Sequence, residues 1–260
     1  MGAGPAVAAG LPRGGDEVSL FLFVLAGAWL GGFVSGLAGF GTGLVALGLW
    51  LHVVEPALAA PLVVICSVVA QLQSLFVVRR AMNWRRLWPF IAGGLFGVPL
   101  GVMALDLVPA ATFKAVLGAF LVIYSAAMLL SGRLPVVAWG GRAADAVVGF
   151  GGGILGGAAG LSGPLPTLWC GLKGWSKDEQ RAVFQTFNLS ILATALVAYG
   201  VQGVLTAEVG RLALICLPGT VLGVWLGMKT YGRVDDRQFR RIVLWLLLVS
   251  GGFLVVSRFI

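Results

Sequence analysis

The run GFGGGILGGAAGLSGPLP, Gly149 to Pro166, decides the fold. It lies inside residues 146–172, a stretch without Asp, Glu, Lys or Arg. Its leucine, isoleucine and valine neighbours ask for an apolar surrounding. Yet glycine and proline interrupt it where a continuous helix needs better helix formers. An upright helix crosses the hydrocarbon core in about 20 residues. The stretch is too long for one such helix and too short for two full crossings. Two half-helices that meet at a central break fit its length.

Seven more charge-free stretches surround it: 18–54, 56–78, 87–105, 115–132, 182–207, 212–228 and 242–257. The 260-residue chain is 59% hydrophobic and only 11% charged, with a mean hydropathy of +0.98. A soluble domain carries about 25% charged residues. Backbone groups in lipid must bond within their own segment, so the spans are helices. The alternating pattern of a membrane barrel is absent. The sequence therefore predicts an all-α polytopic membrane protein.

The net charge of +8 would suggest nucleic acid in a soluble protein. Here the arginines stand at the ends of apolar runs, where membrane orientation and anionic headgroups account for them. The lipid bilayer is the expected partner and nucleic acid is not. Cys66, Cys170 and Cys216 are far apart, each in an apolar run, and match no metal or redox spacing. They read as small buried apolar residues. His52 is the single histidine, so a His-rich metal site is excluded. No cofactor or metal is expected. Residues 1–17 read as a disordered leader, because the apolar run after them is too long for a signal-peptide core.

Lys and Arg collect on the cytoplasmic side of bacterial membrane proteins. If all eight stretches cross once, the eighteen Lys and Arg divide nine to nine. If the first and fifth stretches instead enter and leave on one side, four loops become cytoplasmic together: 79–86, 133–145, 173–181 and 229–241. Those loops hold fourteen of the eighteen, leaving Arg13, Lys114, Arg211 and Arg258 outside. Arg181 is counted here as a loop residue, and no charged side chain is expected deep in a span. Asp106, Lys114 and Asp145 read as solvated anchors. Tryptophans such as Trp50, Trp84, Trp88, Trp139, Trp169, Trp175 and Trp245 flank spans and read as an interfacial belt.

The two halves resemble each other. FVSGLAGFGTGL (Phe33 to Leu44) aligns with ILGGAAGLSGPL (Ile154 to Leu165). LFGVPLG (Leu95 to Gly101) aligns with VLGVWLG (Val221 to Gly227). Sixteen residues beyond Gly97 and Gly223 stand Phe113-Lys114 and Phe239-Arg240. Each repeat is then a broken Gly-rich re-entrant helix pair plus three transmembrane helices. Three is odd, so the repeats are inverted, a recurring transporter design with its site at the breaks. The expected organisation is a leader over 1–17, a first membrane repeat over 18–132, a cytoplasmic linker over 133–145 and a second repeat over 146–260.

GLAGFGTG (Gly36 to Gly43) and GAAGLSGP (Gly157 to Pro164) resemble the paired G-x-x-G-x-G-G-G motifs of the TauE/SafE sulfite exporter family. The segments ALAAPLVVICS (Ala57 to Ser67) and RAVFQTFNLS (Arg181 to Ser190) are also similar to that family. So is the basic loop RRAMNWRRL followed by GGLFGVPLG. The likeness covers roughly residues 20–257. It implies a multi-pass permease of the bacterial inner membrane carrying a small sulfur-containing or organic anion. Sulfite, sulfonates and thiosulfate stay open at this point. Thr42, Ser162 and Pro164 depart from the family's glycines.

Helix breaks expose backbone N–H groups and positive dipole ends, which attract anions. The candidate site is Gly39, Gly41, Thr42 and Gly43 in one half and Gly160, Ser162, Gly163 and Pro164 in the other. Ser67 and Gln71 in the second stretch, and Gln185 and Asn188 in the sixth, are further candidates, since amides in a membrane face its protein interior. Gln73, Thr186, Ser190 and Thr194 belong to the same polar set. Gly93, Gly94, Gly97 and Gly101 read instead as helix-packing positions. A coupling ion, proton or sodium, is compatible with this class, and no residue in the spans singles one out. Two other classes compete. A passive anion channel calls for a continuous polar stripe. An embedded enzyme needs a nucleophile with a base, or a metal triad, and the spans hold neither.

Overall fold

The structure, a computed structural model, describes residues 15–50, 54, 56–104 and 136–256, with scattered positions between 118 and 130. The leader up to residue 14, His52, Asp106, the Phe113-Lys114 match and most of the third span at 115–132 lie outside the described residues.

Among the described residues the chain forms nine α-helices and no strand. They are α1 (Gly15–Ala38), α2 (Thr42–Trp50), α3 (Pro56–Val78), α4 (Trp84–Ala104), α5 (Gly141–Ala159), α6 (Pro164–Leu172), α7 (Lys177–Val201), α8 (Ala207–Tyr231) and α9 (Asp236–Val256). Four contain segments long and apolar enough to cross a membrane: Phe21–Ala38, Leu58–Phe76, Lys177–Val201 and Ala207–Tyr231. Phe76, Phe96, Val201 and Leu214 are each at least 70% exposed. Side chains of that kind on so many helices belong against lipid, not water. This is a multi-pass helical membrane protein.

Local sequence sets several helix ends. Ser176 caps α7 with a capping box: its hydroxyl accepts from Glu179 N–H at 3.4 Å, and Glu179 accepts from Ser176 N–H at 3.1 Å. Thr206 caps α8 by accepting from Val209 N–H at 3.3 Å. The nine-residue helices α2 and α6 rise only about 14 Å at 1.5 Å per residue. That is about half of a 30 Å hydrocarbon core.

Glycine decides the helix pairing. Helix α5 runs along α4 and α1 runs along α8. A methyl group on Gly93, Gly97 or Gly101 of α4 would strike the carbonyls of Ala146, Phe150 and Ile154 on α5. In the other pair, a methyl on Gly223 or Gly227 of α8 would strike the carbonyls of Trp29 and Phe33 on α1, and one on Gly219 would meet Leu25. Only hydrogen fits between these backbones, the close contact that small-residue repeats give in membranes. The expected packing role of Gly93, Gly97 and Gly101 is met. Gly94 has a packing role too, against Phe187 and Ile191 of α7.

The tryptophan belt needs correction. Trp84, Trp88, Trp139 and Trp245 are more than half exposed. Trp50 is fully buried, and its indole donates to the Val24 carbonyl at 2.9 Å. Trp169 is also buried, and donates to the Asp145 carboxylate at 2.7 Å. Each indole N–H found a partner on the long helix preceding its own short one, and so turned inward. Asp145, read above as a solvated anchor, is therefore buried.

Candidate functional site

Helix α1 stops at Ala38, where Gly39 N–H gives its bond to the Ser35 carbonyl at 2.7 Å. Gly39 (φ +82°) and Gly41 (φ +102°) then take left-handed backbone, which glycine alone adopts without strain. Helix α2 starts when Val45 N–H donates to the Gly41 carbonyl at 3.1 Å. Its first-turn N–H groups, Thr42 and Gly43 among them, have no partner within the helix. The second break follows Gly160 (φ +65°), whose N–H donates to Gly156 at 2.9 Å, while Leu161 N–H donates to Leu155 at 3.2 Å. Pro164 opens α6 with a preset helical φ and no donor to leave orphaned.

The two breaks meet. A methyl on Gly163 would come within 3.1 Å of Phe40 and 3.2 Å of the Asn188 amide nitrogen. One on Gly43 would stand 3.9 Å from the Gly160 carbonyl. Between them lies a partly enclosed cavity of about 320 Å³, its open side included. From the first break it is lined by Phe40, Gly41, Thr42 and Gly43, with Ser67 and Gln71 of α3 beside them. From the second come Gly160, Leu161, Ser162, Gly163 and Pro164, with Asn188 and Leu192 of α7. The N-termini of α2 and α6 both reach this space, and each brings roughly half a positive charge.

Its polar groups differ in how far they are satisfied. Ser162 Oγ donates to Asn188 Oδ1 at 3.1 Å, which leaves the Asn188 NH₂ as its free donor end. Gln71 Nε2 donates to the Gly39 carbonyl at 3.2 Å, while Gln71 Oε1 is buried without a partner. The Thr42 hydroxyl is buried and unpartnered. A buried polar atom without a bond costs about 1–3 kcal/mol, so each such atom asks for an explanation.

Ten of the twelve residues singled out from sequence line this one cavity. Gly39 and Gln185 do not. Gly39 backs the wall through its bond to Gln71. Gln185 is buried one turn below, with Oε1 accepting from Arg181 Nε at 3.1 Å and Nε2 unpartnered. Thr186, Ser190 and Thr194 send their hydroxyls to carbonyls four residues back, at 2.8–2.9 Å, a local bond that needs no further partner. Gln73 Nε2 reaches the Val221 carbonyl at 3.2 Å. Sequence reasoning missed the apolar lining of Phe40, Leu161 and Leu192. Position alone signals them: each adjoins a break glycine or lies one turn from Asn188.

Arg181 is the largest correction. Read above as part of a cytoplasmic loop, it is fully buried in α7. Its guanidinium donates to the Leu37 carbonyl at 3.2 Å and the Gly36 carbonyl at 2.6 Å, the C-terminal end of α1. A spanning helix therefore does carry a buried charge. Cys66 and Cys216, distant in sequence, share one apolar cluster between α3 and α8. Among the described residues no group of three His, Cys, Asp or Glu could hold a metal ion.

Two short helices thus break toward one partly enclosed cavity in a multi-pass helical membrane protein. The chain belongs to the sulfite exporter TauE/SafE family, whose family model matches residues 23–254. That family is one of transporters, not enzymes. No curated protein and no solved structure matches the chain.

Proposed function

We propose that the protein is a secondary transporter of the bacterial inner membrane that binds a small anion between the two helix breaks. Sulfite or another small sulfur-containing anion is the substrate. The carrying observation is that two breaks far apart in sequence line one cavity, into which the Thr42 hydroxyl and the Asn188 amide bring hydrogen-bond donors. Thr42 Oγ, the α2 first-turn N–H groups and the Asn188 NH₂ supply hydrogen bonds to an oxyanion. The paired helix dipoles supply the field.

The same reading makes the fold an inverted repeat of re-entrant pairs. Its support is the reciprocal pairing of α1 with α8 and α5 with α4 through glycines spaced four apart. The basic loops are then cytoplasmic, as the positive-inside rule requires.

The test is uptake of radiolabelled sulfite into liposomes holding the purified protein, with thiosulfate, sulfate and taurine as competitors. Saturable uptake, lost in a Thr42→Val, Ser162→Val double variant, is the expected result. Uptake that is fast, unsaturable and indifferent to the variant would instead identify a passive channel and remove the site.

A further inference from the structure

We infer that Arg181 is the charge-selecting residue of the anion path, a buried cation that makes no direct ion pair among the described residues and favours an anion in the neighbouring cavity. This rests on the anion-transport reading and names the residue that enforces it.

Arg181 is fully buried, yet no carboxylate pairs with it directly among the described residues. Its guanidinium donates to two α1 carbonyls and to the Gln185 amide oxygen, all neutral acceptors. The Tyr231 ring lies under the guanidinium, 4.1 Å from its centre. Asp178 accepts from the Tyr231 hydroxyl, and its charge reaches the Arg181 guanidinium through that residue without forming an ion pair with it. Lys177 stands over the same ring at 4.8 Å and donates to the Val234 carbonyl. Arg86 and Glu179 neutralise each other close by, at 2.6 Å. Carbonyl dipoles and an aromatic face offset part of the cost of burying a cation, but they do not cancel its charge.

The position fits the role. Arg181 Nε would lie 3.2 Å from a methyl on Gly39, the residue next to cavity-lining Phe40. On α7, Arg181, Gln185 and Asn188 follow one another at spacings of four and three, so they share a helix face. That face leads from the basic end of the bundle to the cavity. Gln185 Nε2, the buried donor with no partner, sits midway along it. A charge in such low-dielectric surroundings acts over more than one contact distance. It lowers the energy of an anion at the breaks, raises that of a cation, and gives a neutral analogue of the same shape no such stabilisation.

The test compares Arg181→Lys, Arg181→Gln, and Arg181→Gln combined with Gln185→Lys, which moves the cation one turn toward the cavity. Two readouts are used on purified protein: saturation kinetics of sulfite uptake in liposomes, and the rise in melting temperature with added sulfite, thiosulfate, sulfate, nitrate or chloride. Arg181→Gln is expected to raise KM about tenfold or more while the maximal rate changes less than about threefold. It should also abolish the anion-dependent rise in melting temperature. Arg181→Lys and the double variant should recover most of both. If all three variants lose maximal rate alike with KM unchanged, Arg181 is a structural clamp on α1 and the inference is overturned. If Arg181→Gln does not fold, recovery of anion binding by the double variant carries the test, and its failure there also overturns the inference. A wild type that binds none of these anions would bring down the transport reading itself, a result distinct from anion binding that ignores Arg181.

Discussion

The two helix breaks perform the same turn with opposite chemistry. At the first, two glycines take positive φ, Gly39 and Gly41, and the Thr42 hydroxyl is left without a partner. At the second, only Gly160 does so, and the Ser162 hydroxyl is already bonded to Asn188. Helix α2 opens on Thr42 and Gly43, which both offer N–H groups. Helix α6 opens on Pro164 with Pro166 close behind, and neither has an N–H to offer. Even the indoles that close the pairs differ: Trp50 ends on a backbone carbonyl and Trp169 on the Asp145 carboxylate. The first break leaves its hydroxyl unpartnered, whereas the second has its Ser162 hydroxyl bonded internally.

The glycines give the largest expected contrast. Gly39→Ala adds left-handed strain of about 1–3 kcal/mol, and its methyl would stand 2.7 Å from Phe184. Overpacking of that kind costs roughly a further 1–3 kcal/mol. Gly160→Ala meets only ordinary contact, 3.6 Å from Val64, so the strain is its main cost. Thermal unfolding in detergent should place Gly39→Ala clearly below Gly160→Ala. Equal losses would mean that the breaks are constrained alike.

The hydroxyls come next. Ser162→Ala strips the donor from buried Asn188 Oδ1 and should cost about 1–3 kcal/mol of stability. Thr42→Val removes an orphan hydroxyl, so stability should hold within about 1 kcal/mol or rise. Sulfite affinity should nevertheless fall about tenfold, the worth of one good hydrogen bond to an ion. Stability and affinity are thus expected to separate at the first break and to fall together at the second. Asp145→Asn is the mildest change. The amide oxygen still accepts from Trp169, so the melting temperature should move by less than the equivalent of about 1 kcal/mol.

Much of this was legible in the sequence because membrane spans tolerate few exceptions. Glycine clusters, a Pro in an apolar run and amides such as Gln71 and Asn188 are costly in lipid unless they bend, pack or bind something. That made ten lining residues readable without coordinates. Arg181 was not readable, because charge-free stretches end at the first charge by definition. The capping Ser176 five residues earlier was the missed signal, since it places Arg181 in the second turn of α7. Asp145 and the inward tryptophans were hidden for a related reason. Their burial depends on partners twenty or more residues away, Val24 for Trp50 and Asp145 for Trp169. Phe40, Leu161 and Leu192 are apolar, and only their position beside a break glycine or one turn from Asn188 signals them.

The central claim, that both breaks serve one anion, is tested most directly by equilibrium binding of radiolabelled sulfite to the purified wild type, Thr42→Val and Ser162→Ala. The account predicts one sulfite per chain, with binding weakened by either substitution. Two sulfites per chain, each lost in only one variant, would contradict it, as would binding that neither substitution changes.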